Sequence, residues 1–148
     1  MPHDMSRTHL FSFPKSERLC SKRAIEALFA AGHKSLAAFP VRAVFTFTDK
    51  EPETPPSALL ISVSKHKIKK AVSRNRVKRQ VREAYRKNKH ILWQALQGAD
   101  KHANLAFIWL ADSLFPSYKV EASVKLLLRR IAEQIPQKTN NSPRETPL

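Results

Sequence analysis

Ser62–Lys89 reads SVSKHKIKKAVSRNRVKRQVREAYRKNK, and the fold is read outward from it. The stretch holds twelve Lys and Arg against one acid, Glu83, a net +11 in a chain whose total is +15. The surplus charge is therefore local. Val77, Val81, Ala84, Tyr85, Asn88 and Leu92 recur at three- and four-residue spacing, as one face of a helix requires. At about 100° per residue, Lys78, Arg82, Arg86 and Lys89 fall on the adjacent stripe, with Arg79 at its edge and Arg76 farther round. One face can dock on a core while its neighbour presents cations. Like charges one turn apart repel, and a polyanion lying along the row relieves that repulsion. Most charge runs are solvated surfaces; the density here and the near absence of acids argue for a binding face.

Outward from this helix the chain alternates strands and helices. Ala58–Ser64, ALLISVS, predicts a buried strand that leads into the basic loop Lys65–Lys70. Before it, DKEPETPPS (49–57) carries three prolines and three of the twelve acids, and reads as a flexible connection between antiparallel strands. Val41–Thr48 sets Val41, Ala43, Phe45 and Phe47 against Arg42, Val44, Thr46 and Thr48, a period-two strand. A short helix is expected from Ser21 to Ala31, with Ser21 as N-cap, Gly32 as stop and Ala24, Ile25, Leu28 and Phe29 as its apolar stripe.

Downstream, the basic helix is expected to continue through Ile91, Leu92 and Leu96 to Gly98. Asn104–Ala111, NLAFIWLA, is almost wholly apolar and predicts a central strand covered on both faces. Ser117 is a candidate cap for a last helix with the stripe Val120, Val124, Leu127, Leu128, Ile131 and Ile135, ended by Pro136. Three segments result: a flexible 1–15, a single domain over 16–135, and a disordered polar tail over 136–148.

Composition narrows the function. Lys and Arg number 27 against 12 Asp and Glu, with a pI near 10.5, which points to nucleic acid or an anionic surface. No apolar run approaches the ~20 residues of a membrane span. Cys20 is the only cysteine, which excludes an internal disulfide and fits a reducing cytosol. It reads as a buried or half-buried small apolar residue, and the N-terminus lacks a secretory apolar core, so a cytoplasmic protein is expected. The six histidines form no close ligand pair, the acids form no two-metal cluster, and Gly32 and Gly98 supply no phosphate-cradling loop. Neither catalytic nor metal-ligating residues are expected in this chain.

The order Ser62-Val63-Ser64-Lys65, then Arg74-Asn75-Arg76, Val77-Lys78-Arg79 and Val81-Arg82-Glu83-Ala84-Tyr85, resembles the signature of the bacterial ribonuclease P protein component. The flanking elements extend the resemblance from about Lys15 to Ile135. It implies an α+β fold: a single-domain α/β sandwich of the ribosomal protein S5 domain 2-like kind, in which about three helices pack a small mixed sheet. The family's parallel crossover, which carries the basic helix, is left-handed. The resemblance also implies an endoribonuclease ribonucleoprotein that removes the 5′ leader of precursor tRNA, its catalytic centre in the partner RNA, with one protein per RNA and magnesium held mainly by that RNA.

On the family pattern Arg76, Arg79 and Arg86 grip the catalytic RNA, while Arg74, Asn75, Lys78 and Arg82 lie nearer the leader cleft, and Lys65, Lys69 and Lys70 add phosphate contacts. The resemblance places the leader in a cleft beside the first helix. There Phe29 matches a stacking aromatic, Ile25 replaces a second one, and Arg42 and Ser62 follow by strand position. The loop 65–70 carries lysines where the family commonly has glycine. Three other readings compete: a ribosomal or ribosome-assembly RNA-binding protein, a DNA-binding factor and a protein-only nuclease. The DNA reading lacks a dimerising heptad after the helix.

Overall fold

A computed structural model of the chain describes residues 13–30 and 33–136. Its sheet is organised by β2 (Val41–Asp49), whose alternation came through largely as expected. Val41, Ala43 and Phe45 enter the main core, and Arg42 and Thr48 are exposed. Val44 is also buried, in a smaller cluster on the opposite face. β1 (Lys34–Ala38) pairs antiparallel with β2 across a two-residue turn, Phe39–Pro40. The composition of β1, Lys-Ser-Leu-Ala-Ala, holds no β-branched or aromatic residue and gave no strand signal.

β3 (Ser57–Ser62) and β4 (Lys101–Trp109) complete a mixed sheet of order β1-β2-β4-β3. β4 runs antiparallel to β2 and parallel to β3. The segment 49–57 therefore joins two strands that never pair, because β4 lies between them. Both faces of β4 are covered, as its apolar run predicts: Leu105, Phe107 and Trp109 face the main core, and Ala106 faces the smaller cluster.

Four α-helices flank the sheet: α1 (Lys22–Leu28), α2 (Ala71–Asn88), α3 (His90–Ala99) and α4 (Ser117–Glu133). α2, α3 and α4 cover the main-core face. Val77, Val81 and Tyr85 of α2, Leu92 and Leu96 of α3, and Val120, Val124, Leu127, Leu128 and Ile131 of α4 are essentially inaccessible. Burying each such side chain contributes roughly 1.5–3 kcal/mol before entropy is counted. α1 covers the other face alone, through Leu28, which joins Leu19, Val44, Ala58 and Ala106. The α+β class and the mixed sheet agree with the sequence reading. The parallel β3–β4 connection runs through both α2 and α3.

Several local expectations are corrected. α1 ends at Leu28 with Phe29 as C-cap, so it is shorter than 21–31; Ala31 and Gly32 lie outside the described residues, as do 1–12 and 137–148. Ser21 does cap α1, accepting from the Ala24 amide at 3.3 Å. The long helix divides at Lys89, and the second part passes Gly98 to Ala99. Ser117 is the first residue of α4 and not its cap, which is Pro116; its hydroxyl accepts from Gln80 Nε2 at 3.0 Å. α4 ends at Glu133, and Ile135 is buried just beyond it. Cys20 is exposed, because Leu19 beside it takes the inward position.

Lys89 is the largest departure. Helical spacing puts it on the cationic stripe, yet it is fully buried, 2.6 Å from Glu17 Oε1 and 4.4 Å from the centre of the Trp93 ring. It lies one turn after Tyr85, so it sits at the edge of the inward face. Burial lowers its pKa, with Glu17 acting in the opposite direction. Close by, Ser57 Oγ is hydrogen-bonded to the Tyr85 hydroxyl and accepts from Trp93 Nε1 at 2.8 Å. Burial drives the Tyr85 phenol far above its usual pKa, so it stays neutral.

Candidate nucleic-acid interface

Helix α2 turns one side toward α4. Gln80 Nε2 donates to Phe115 O at 3.0 Å, and Lys87 Nζ lies 3.2 Å from Glu121 Oε1. Asn88 Nδ2 donates to Glu121 Oε2 at 3.0 Å. At about 100° per residue, Gln80 lies roughly 160° round from Arg82. The flank bearing Asn75, Lys78, Arg79, Arg82 and Arg86 thus points away from α4. Asn75, Arg76 and Arg79 are exposed, and Lys78, Arg82 and Arg86 half-exposed. Arg76 stands apart from the flank, between it and the side that faces α4. Arg86 is engaged within the chain, its Nε donating to Glu83 Oε1 at 3.1 Å. That bond depresses the Glu83 carboxyl and raises the Arg86 guanidinium.

The connection from β3 into α2 is closely held. Lys67 and Ile68 amides donate to Ser64 O at 3.2 and 3.0 Å, and the His66 amide donates to Ser64 Oγ at 3.0 Å. Ile68 plugs into the main core, while Lys65, His66, Lys67, Lys69 and Lys70 are exposed. Among the described residues only Glu53 and Asp100 are non-glycine residues with positive φ. The loop therefore needs no left-handed residue, and lysines stand where glycine is common without backbone cost. Loop residues His66–Lys70, with Ser73 and Asp112–Leu114, line an open depression of about 450 Å³. The Lys70 side chain makes no cap hydrogen bond at the start of α2, and no acid occupies the first turn.

The second surface lies on the sheet face that α1 partly covers. Arg42 pairs with Ile108 and Ile108 with Ser62, so the three make one row across β2, β4 and β3. Arg42 and Ser62 are exposed, and Arg42 Nε donates to Ser35 Oγ at 2.8 Å. Phe29, at the end of α1, is 43% exposed and belongs to neither apolar cluster of the described residues. Ile25 is half-buried against the smaller cluster. Ser35 and Ile108 were not read as site residues. Ile108 was recoverable from β4 periodicity, whereas Ser35 sits on the strand that carried no signal.

Among the described residues no three His, Cys, Asp or Glu side chains gather to hold a metal ion, and no helix is long and apolar enough to cross a membrane.

A basic α+β domain with a cationic crossover helix beside an open sheet face is the kind of protein that this geometry defines. The family model described as Ribonuclease P matches residues 13–132. A curated relative, the ribonuclease P protein component of Porphyromonas gingivalis, is 39% identical over 132 residues, covering 89% of this chain and 95% of the relative. That of Chlorobaculum tepidum is 29% identical over 145 residues, covering 92% and 94%. The solved structure of the RNase P protein from Thermotoga maritima superposes with a TM-score of 0.59 at 26% identity, covering 77% of this chain and 96% of that one. The chain belongs to the ribonuclease P protein family.

Proposed function

We propose that the chain serves ribonuclease P by binding two RNAs at once: the catalytic RNA along α2, and the 5′ leader of precursor tRNA on the sheet face beside α1. The observation that carries this reading is the direct passage of β3 into the loop 65–70 and α2. Ser62 of the sheet row and the cations of α2 belong to one continuous, anchored segment.

On this reading Arg76, Arg79 and Arg86 neutralise phosphates of the catalytic RNA, with Arg86 exchanging its bond to Glu83 for a phosphate. Arg74, Asn75, Lys78 and Arg82 lie on the leader side, and Lys65, Lys69 and Lys70 extend the phosphate contacts. Guanidinium groups add planar two-point geometry to charge. Phe29 offers a stacking plane for an unpaired base, Ile25 an apolar contact, and Arg42 and Ser62 polar contacts to the leader.

No residue here is assigned to bond breaking. The endoribonuclease centre is assigned to the partner RNA, with one protein per RNA, in the cytoplasm. Magnesium is held mainly by that RNA, as the family resemblance implies. The protein contributes by differential binding: contacts to the leader favour precursor over leaderless product. Its charge also screens repulsion between two polyanions, which lowers the magnesium requirement.

The test is reconstitution with the catalytic RNA at low magnesium, scoring 5′ maturation of a precursor tRNA. The protein is expected to raise both cleavage and precursor affinity. Unchanged values for both would overturn the reading.

A further inference from the structure

We infer that Arg74 is a positioning residue, which holds the loop 65–70 in the shape that presents Lys67, Lys69 and Lys70 to RNA. This deepens the function proposed above and rests on it. Arg74 differs from its neighbours Asn75 and Arg76, which are exposed, in being half-buried. One of its guanidinium nitrogens, Nη1, donates to Ile68 O at 2.9 Å and to Lys69 O at 2.8 Å. These carbonyls lie immediately ahead of α2, where no side chain caps the helix.

The loop thus has three fixings. Ser64 accepts from the amides at its start, Ile68 anchors its middle in the core, and Arg74 clamps its end. Without the clamp, a run of four lysines and a histidine would have to hold one shape against its own repulsion. With it, Lys67, Lys69 and Lys70 stand around the open 450 Å³ depression that Asp112–Leu114 border. The Arg74 charge then acts through the loop, by fixing where the lysine charges sit.

The test compares Arg74→Ala with Arg79→Ala, each of which removes one cation from α2. In the free protein, hydrogen exchange of the Lys67 and Ile68 amides should quicken about tenfold in Arg74→Ala, as loss of local hydrogen bonding allows. Arg79→Ala should leave those amides unchanged, and α4 amides should stay protected in both variants. With the catalytic RNA, Arg79→Ala should lower the salt slope by one contact, roughly 0.7–0.9, and Arg74→Ala by more than one. When Lys67, Lys69 and Lys70 are already Ala, Arg74→Ala should have little further effect on affinity, the mark of residues that act as a unit. Unchanged loop exchange in Arg74→Ala, or an undiminished effect in the lysine-free background, overturns the inference. The exchange measurement needs no RNA. A parent protein that fails to bind RNA would therefore count against the proposed function and leave the clamp to be decided by exchange alone.

Discussion

Lys89 Nζ and Glu17 Oε1 are 2.6 Å apart with both side chains out of reach of solvent, and 72 residues of chain separate them. The pair fastens the segment before α1 to the elbow between α2 and α3. Arg18 of that segment bridges β3 beside Leu59. The N-terminal segment, the basic helix and the β3 edge are therefore one mechanical unit.

Breaking the pair on one side leaves a buried charge without its opposite. Glu17→Ala or Lys89→Ala is expected to cost about 3–5 kcal/mol in urea unfolding, while the double change to Met at both positions restores most of the loss. Equal destabilisation in the single and double variants would show that the pair is not the cause.

Arg76→Ala together with Arg79→Ala removes two exposed cations from α2 without touching the core. Affinity for the catalytic RNA should fall and the salt slope should flatten by roughly 0.7–0.9 for each lost contact. The unfolding midpoint should stay where it is. A slope equal to that of the parent would remove both residues from the interface.

Phe29 lies outside both apolar clusters, so truncating it leaves no core cavity. Phe29→Ala is expected to weaken reconstituted binding of precursor tRNA by about 1–3 kcal/mol if one base stacks there. Binding of mature tRNA should be little changed. Equal losses for the two substrates would assign Phe29 a packing role only.

Glu121 joins α4 to α2. The hydrogen bond from Asn88 chiefly, and Lys87 beside it, hold its carboxyl below its ordinary value of 4.5. The folded state thus favours the ionised form, so this stability is present above pH 4.5 and is lost as the pH falls through the lower folded value. The side chain is partly exposed, so a few tenths to about 1 kcal/mol is expected. Unfolding midpoints of the parent and Glu121→Gln measured between about pH 3 and 6 should converge toward the acid end. A constant difference between them would contradict the link.

How far the sequence could be read depended on which signal each element carried. The helical face of α2 was legible because Val77, Val81, Ala84 and Tyr85 repeat strictly, and β4 because its apolar run is nearly unbroken. β1 was hidden, since Ser35, Leu36, Ala37 and Ala38 become a strand by pairing with β2 and not by propensity. Lys89 was misplaced because its partner is distant in sequence, and a wheel drawn on one helix cannot show a tertiary ion pair. The cation flank was evident from composition, whereas the Arg42–Ile108–Ser62 row required the register of three strands.

β4 lies between β2 and β3 yet follows α2 and α3 in the chain. Synthesis proceeds from the N-terminus, so the most cationic segment leaves the ribosome before the strand that closes the sheet beneath it. Parallel, long-range pairing of this kind is slow to form. A newborn chain therefore displays its charge while its architecture is unfinished, and the cations of α2 are set beside the completed sheet only when the last strand slots into place.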